Sequence, residues 1–114
     1  MPKPWRLTRT AEQSLIAIAG WTYETFGPHQ AEAYEADLIA ACRGIANGTA
    51  RSQDCRRLID PDLPEILRFT RCVQHFIVFI EYSEHVIVVE FLHRRSDLPK
   101  RLAALPDPGA DRDR

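Results

Sequence analysis

Apolar side chains follow a helical spacing in the first half of this chain and a strand-like spacing in the second. Up to residue 48 they recur every three or four positions, which predicts a helix from about Arg9 to Thr25 and a second from about Pro28 to the Asn47-Gly48 pair. Gly27 between them is a typical helix end. Because neither helix can bury its apolar stripe alone, the two are expected to pack as an antiparallel hairpin.

Three β-prone segments fill most of the second half. They cover residues 65–72, 75–83 and 86–95, and their close spacing predicts an antiparallel meander. The alternating run 5–8 near the amino terminus predicts one more short strand at a sheet edge. Residues 49–64 are polar and contain proline, so they are expected to form a loop with one turn of structure, around Cys55 to Leu58.

The carboxyl-terminal end predicts one short helical element and then a tail. Asp97 can cap a turn within 97–105, and the charged residues 106–114 are expected to be disordered. The chain has 114 residues, of which 45% are hydrophobic and 27% charged, a balance that favours a single globular domain, here residues 1–105.

The pairing of the last two segments decides which of their side chains share a face. With Glu84-His85 as a two-residue loop, Phe76 lies opposite His93, and the face that carries this pair is otherwise apolar. The other face is then mixed in polarity and expected to be partly exposed. A loop one residue longer pairs His75 with His93 instead, so the sequence leaves the register open.

Composition excludes several classes of protein. No apolar run approaches the roughly 20 residues of a membrane-spanning helix, and the amino terminus lacks the apolar middle of a secretory signal, so the expected location is the cytosol. Cys42, Cys55 and Cys72 form neither a CxxC pair nor an even set, which favours reduced thiols over disulfides or a zinc site. The four histidines are scattered, so neither a metal nor a cofactor is expected.

Charge is distributed unevenly although the net charge is only -1. Between His93 and Arg101 the basic residues are Arg94, Arg95, Lys100 and Arg101, and the only acidic residue is Asp97. This segment predicts a local cationic patch that would attract an acidic partner segment or a target bound to nucleic acid. The alternative is that these side chains only keep a strand end and a helix soluble.

Several short sequences occur along the chain in a characteristic order. They are Leu7-Thr8 before Ala11, then Phe26-Gly27 with Gln30-Ala31 and Tyr34, then 75–79, and finally 91–95 with Asp97. In this order, and over roughly residues 5–105, the chain resembles the ParE branch of the RelE/ParE superfamily of bacterial type II toxins. The resemblance implies an α+β fold, with an amino-terminal strand and a two-helix hairpin packed on a small antiparallel or mixed sheet. It also implies a cognate antitoxin as partner.

The superfamily has two activities, and the residues bear on the choice between them. ParE-like toxins poison DNA gyrase, whereas RelE-like toxins cleave messenger RNA on the ribosome with basic and aromatic side chains. Phe76 stands where such ribonucleases commonly carry a catalytic arginine, and no aromatic residue follows Leu98. Gyrase inhibition is therefore the favoured prediction, with no catalytic residue and no sequence-specific nucleic-acid binding by the toxin alone. Two alternatives stay open: a ribonuclease that uses His75 and His93, and a degenerate member that only binds antitoxin.

The candidate residues for binding target or antitoxin combine the basic end of the sheet with one exposed aromatic side chain. Each also has a structural reading: His93 and His75 as hydrogen-bonded histidines at the edge of the core, and Trp21 as a side chain packed beneath the second helix. The full candidate set is Trp21, Arg68, His75, His93, Arg94, Arg95, Lys100 and Arg101.

Overall fold

The computed structural model describes residues 2–59, 61–64 and 66–105, so the tail predicted to be disordered lies outside the described residues. This part of the chain forms four helices and five strands. In order they are β1 (Trp5–Leu7), α1 (Arg9–Phe26), α2 (Pro28–Asn47), β2 (Gln53–Asp54), α3 (Cys55–Leu58), β3 (Arg68–Cys72), β4 (His75–Glu81), β5 (Val86–His93) and α4 (Leu98–Ala103).

Helices α1 and α2 begin and end where their sequence signals predict. The hydroxyl oxygen of Thr8 accepts a hydrogen bond from the Ala11 N–H and so caps α1. Gly27 ends that helix at φ 95°, and Gly48 ends α2 in the left-handed conformation. The helical spacing of apolar residues in α1 continues to Phe26 and predicts a core position there, but this prediction was wrong, since the side chain is 62% exposed.

The strands form a mixed sheet in the order β1-β5-β4-β3-β2. Strands β3, β4 and β5 make the predicted antiparallel meander, and β1 joins its edge parallel to β5. The α+β fold expected from the sequence is therefore confirmed. Strand β2 was not predicted, because its two residues, Gln53 and Asp54, are polar and gain their ladder only by pairing with β3.

The predicted register of the last hairpin was wrong at two points. The turn between β4 and β5 lies one residue earlier than predicted, at Ser83-Glu84, since Glu81 lies opposite Val86 and the Tyr82 N–H donates to the His85 carbonyl. A β-bulge next to Val78 then shifts the ladder by one residue. His75 consequently pairs with His93, as the alternative register required, but through the bulge and not through a longer loop.

Both faces of the sheet are buried, which corrects the expectation that one of them is partly exposed. One face packs against α1 and α2 through side chains such as Ile77, Phe79 and Phe91. The opposite face is covered by α3, by the segment with Leu63 and Leu67, and by α4. The central segment contains mainly prolines and polar residues, so its sequence predicts a loop. The few apolar side chains in it that complete this second core could not be recognised from that pattern.

Glu90 is an acidic side chain inside this apolar arrangement, at the bulge of β5. It is 5% exposed, and its Oε1 accepts a hydrogen bond of 2.9 Å from the Phe91 N–H. Burial raises the pKa of Glu90, while hydrogen bonds from Ser14 and Phe91 and the charge of Arg101 oppose that shift. The carboxyl group thus gives a backbone N–H an acceptor beside the irregular part of the strand.

Candidate functional site

A cavity of about 260 Å³ lies where α1 passes the ends of β4 and β5. We call it the histidine pocket; its lining residues are Ala17, Ile18, Trp21, His75 and His93. Helix α1 contributes its three residues from a single face, because they fall at positions i, i+1 and i+4. Strands β4 and β5 contribute the histidines. The bulge in β5 sets the register that places His93 opposite His75. The two imidazole rings meet edge to face, with centroids 5.2 Å apart.

His75 is held by α2 through Tyr34. The Tyr34 hydroxyl lies 2.6 Å from His75 Nδ1, and its oxygen accepts a hydrogen bond of 3.3 Å from the Gln74 N–H. The same hydroxyl lies 3.5 Å from the Cys72 carbonyl, and the tautomer of His75 decides which of these two partners receives its proton. His75 is 9% exposed, and burial, helped by the nearby His93, lowers its pKa to about 4. The ring is therefore neutral at physiological pH.

His93 is oriented by the chain that follows it. Its Nδ1 accepts a hydrogen bond of 3.1 Å from the Arg95 N–H, and its carbonyl accepts bonds from the backbone and side chain of Ser96. The ring is exposed at the mouth of the pocket, unlike that of His75. The two histidines thus form one wall whose inner ring is fixed and whose outer ring can meet a partner.

Basic side chains border this end of the sheet. Arg94 donates from Nε to Gln74 Oε1 over 2.6 Å, and Arg71 donates from Nε to the Val73 carbonyl over 3.1 Å. Arg95 is exposed next to His93. We call Arg71, Arg94 and Arg95 the cationic rim. Asp37 on α2 has the opposite charge, and its carboxylate helps to raise the pKa of Tyr34 and of Cys72.

Val73 occupies an unusual backbone conformation in the loop between β3 and β4. Its φ is 54°, a left-handed value that L residues with a branched Cβ rarely adopt. The side chain is 55% exposed. Such a conformation costs on the order of 1–3 kcal/mol and persists only when the surrounding structure holds it.

The structure brings together most of the residues predicted from the sequence, but not all of them. Trp21, His75 and His93 share the pocket, and Arg94 and Arg95 follow it directly. Arg68 lies at the other end of β3, where its guanidinium donates to the Ser52 hydroxyl and carbonyl. Arg68 therefore has a structural role, because it holds the segment before β2 in place. Lys100 and Arg101 are exposed on α4, and as binding residues they stay predictions.

Sequence reasoning missed three residues of the site: Tyr34, Arg71 and Val73. Tyr34 falls at the spacing of the apolar stripe of α2, and its hydrogen bond to His75 joins residues 41 positions apart. Arg71 is one of the arginines that could hold phosphate, but nothing in the sequence places it in the binding set. A signal did exist for Val73, because a two-residue hairpin loop favours glycine or asparagine and this one contains neither.

The cysteines do not contribute reactive groups to this end of the molecule. All three thiols are free of disulfides, and burial raises the pKa of both Cys42 and Cys55 to about 12. Burial also raises the pKa of Cys72. Because the thiolate is the nucleophilic form, none is suited to covalent chemistry. No cluster of three or more metal-ligating side chains occurs in ranges 2–59, 61–64 and 66–105.

The helical hairpin and the mixed sheet make a small α+β fold, and the histidine pocket between them is preformed and largely apolar. The profile of the family described as the ParE toxin of type II toxin-antitoxin system, parDE, matches residues 5–98. The chain therefore belongs to the ParE toxin family. The resemblance inferred from its sequence is confirmed.

Comparison with other proteins shows the same fold at low identity. The chain is similar to a solved structure titled as the chromosomal ParDE TA system from P. aeruginosa, with a TM-score of 0.60 and 17% identity over 80% of this chain and 95% of the other. No curated protein matches the chain at a significant level. Among the described residues, no helix has the length and apolarity needed to cross a membrane.

Proposed function

We propose that this ParE-family protein acts in the cytoplasm as the toxin of a ParDE-type pair, that it inhibits DNA gyrase, and that a cognate antitoxin neutralises it. Family membership over residues 5–98 carries the proposal. The similar P. aeruginosa structure, whose title names a ParDE system, supports an antitoxin partner. In this proposal the histidine pocket and the cationic rim are the surface that the antitoxin covers.

A small rigid protein can inhibit a large enzyme without chemistry of its own. If the toxin binds one conformation of gyrase more tightly than the others, it shifts the population towards that conformation. A pocket formed in the free protein suits this role, because little ordering entropy is lost when a partner side chain enters it. Trp21 at the pocket edge is a suitable anchor, since tryptophan is enriched among residues that dominate binding energy.

The protonation state of His75 argues against messenger RNA cleavage. A general base or acid works best with a pKa near the operating pH, whereas burial lowers the pKa of His75 to about 4. At neutral pH it is a weak base and holds no acidic proton to donate. Phe76 packs with its ring centroid 5.0 Å from that of Phe69 and adds no catalytic group. The ribonuclease alternative therefore has the weaker support.

Induction of the gene in a bacterial host tests the proposal. We expect growth arrest with filamentous cells and damaged DNA, and rescue when the neighbouring reading frame is induced as well. Purified protein should abolish supercoiling by gyrase and leave messages intact on translating ribosomes. Cleaved message with undisturbed supercoiling would instead establish the ribonuclease, and normal growth would indicate a member that only binds antitoxin.

A double substitution tests the cationic rim. Arg94→Ala with Arg95→Ala should weaken antitoxin binding about tenfold, mainly through slower association, because charges at an interface rim steer the encounter. The fold should survive, since both side chains lie beyond the end of β5. Surface plasmon resonance at two salt concentrations and thermal unfolding measure these effects.

Arg43→Ala with Arg57→Ala is the matched control for that experiment. It removes the same charge from exposed positions on α2 and α3, away from the rim. The control should bind antitoxin as the wild type does. If the rim variant keeps both its toxicity and its antitoxin affinity, the rim has no role in binding.

A further inference from the structure

Val73 is held in a conformation that its side chain disfavours. It is the first residue of the two-residue loop between β3 and β4, because Cys72 pairs directly with His75. Its φ of 54° falls where glycine and asparagine are favoured, since a Cβ there crowds the backbone. A glycine at this position would satisfy the loop without strain. The valine therefore calls for an explanation outside the loop itself.

Neighbouring elements fix the loop from several sides. Arg71 donates to the Val73 carbonyl, and the Gln74 N–H donates to the Tyr34 hydroxyl of α2. Arg94 donates to Gln74 twice, from its backbone N–H over 2.9 Å and from its Nε over 2.6 Å. Three of these bonds hold the backbone of the loop, the fourth holds the Gln74 side chain, and none uses the Val73 side chain. They explain how the strain persists, but not why a valine is present.

The surroundings of the exposed side chain indicate what it meets. Val73 is 55% exposed, and two arginines, Arg71 on β3 and Arg94 after β5, are hydrogen-bonded to its loop. Both arginines are anchored through Nε, and a guanidinium carries two further nitrogens that can bind a carboxylate. The surface thus offers one apolar contact together with two cationic groups tied to the same loop. An acidic peptide that carries an apolar side chain is complementary to it.

We propose that Val73 is a contact residue for the antitoxin, and that the loop docks an acidic segment of that partner with an apolar residue against Val73. This inference rests on the proposed function, since it assumes an antitoxin that covers this end of the sheet. The strain is then kept for the sake of the contact, as happens at binding sites whose backbone is held in rare conformations. Stability and affinity should respond in opposite directions when Val73 is replaced.

Three variants separate contact from structure. Val73→Gly and Val73→Asn both suit the left-handed conformation and remove the apolar branches, whereas Val73→Ile keeps both strain and apolar character. We expect the glycine and asparagine variants to unfold about 3–8 °C higher than the wild type. We also expect them to bind the purified antitoxin encoded beside the gene at least about fivefold more weakly. The isoleucine variant should match the wild type in both measurements.

The outcomes distinguish this inference from the proposed function. Glycine and asparagine variants that bind as tightly as the wild type overturn the inference and leave the proposed function standing. Unfolding temperatures that fall in both variants also overturn it, because Val73 would then not be strained. Toxicity that falls while antitoxin affinity stays constant assigns the loop to the toxin's target instead. If the wild type fails to bind the antitoxin at all, the proposed function and the inference fail together.

Discussion

Acidification from pH 7 to pH 4 is expected to remove roughly 3 kcal/mol of folding free energy through His75 alone. In the unfolded chain a histidine takes up its proton near pH 6.5, whereas burial lowers the pKa of His75 in the folded protein to about 4. Between these values the unfolded state binds the extra proton. The His75 contribution is therefore intact above pH 6.5, declines as the pH falls, and is fully lost below about pH 4.

Urea unfolding at a series of pH values measures this effect, and His75→Asn isolates it. The asparagine side-chain amide can accept from or donate to the Tyr34 hydroxyl in place of Nδ1, so the variant keeps the hydrogen bond without the titration. The stability difference between wild type and variant should shift by roughly 3 kcal/mol in favour of the variant from pH 7 to pH 4. His29→Asn, at an exposed position of α2, is the matched control substitution. Parallel curves for wild type and His75→Asn would refute the assignment.

The helices of this fold could be predicted closely because their signals are local. Thr8, Gly27 and Gly48 mark helix ends by capping or by a conformation that few residues adopt, and each acts within a few positions. The apolar stripe failed only at Phe26, where the helix stops and the side chain no longer faces the core. Periodicity states which face is apolar. It does not state how far the partner surface extends.

The histidine pocket could be predicted only in part because it depends on register. The segment from Val86 to His93 gives no sign of the bulge, beside which the buried Glu90 accepts a hydrogen bond from the Phe91 N–H. With the observed turn and no bulge, His93 would lie opposite Gln74, and His75 opposite Leu92. The sequence therefore identified the two histidines but left open whether they meet.

Contacts between distant segments account for the rest of the site. Tyr34 reaches His75 across 41 positions, and Arg94 reaches Gln74 across 20. Neither pair has a local pattern that distinguishes it from ordinary surface polarity. The strain at Val73 likewise becomes visible only as a dihedral angle. A sequence identifies residue types that are able to bind or react. The folded structure is needed to find which distant side chains they contact.

Trp21→Ala is expected to weaken binding to antitoxin or gyrase by about 30-fold, the effect of a residue worth about 2 kcal/mol at an interface. Its indole lines the histidine pocket, yet it is 62% exposed in the free protein. An exposed tryptophan beside a pocket is a suitable anchor for a partner, because tryptophan is enriched among residues that dominate binding energy. The free energy of unfolding should fall little, because the substitution removes one ring contact. That contact is the edge-to-face pair with Phe26, whose ring centroid lies 5.8 Å from that of Trp21. Isothermal titration with antitoxin and a supercoiling assay measure the loss.

Two further variants of α1 separate the pocket from general exposure. Phe26→Ala breaks the same ring pair but removes no side chain from the pocket lining, so it should match Trp21→Ala in stability and the wild type in binding. Tyr23→Ala removes an aromatic side chain that is 57% exposed and points about 200° round the helix from Trp21. If all three variants lose affinity equally, the partner covers the whole outer surface of α1. A loss confined to Trp21→Ala places the energetic centre of the interface at the histidine pocket, because only that residue has its ring in the pocket wall.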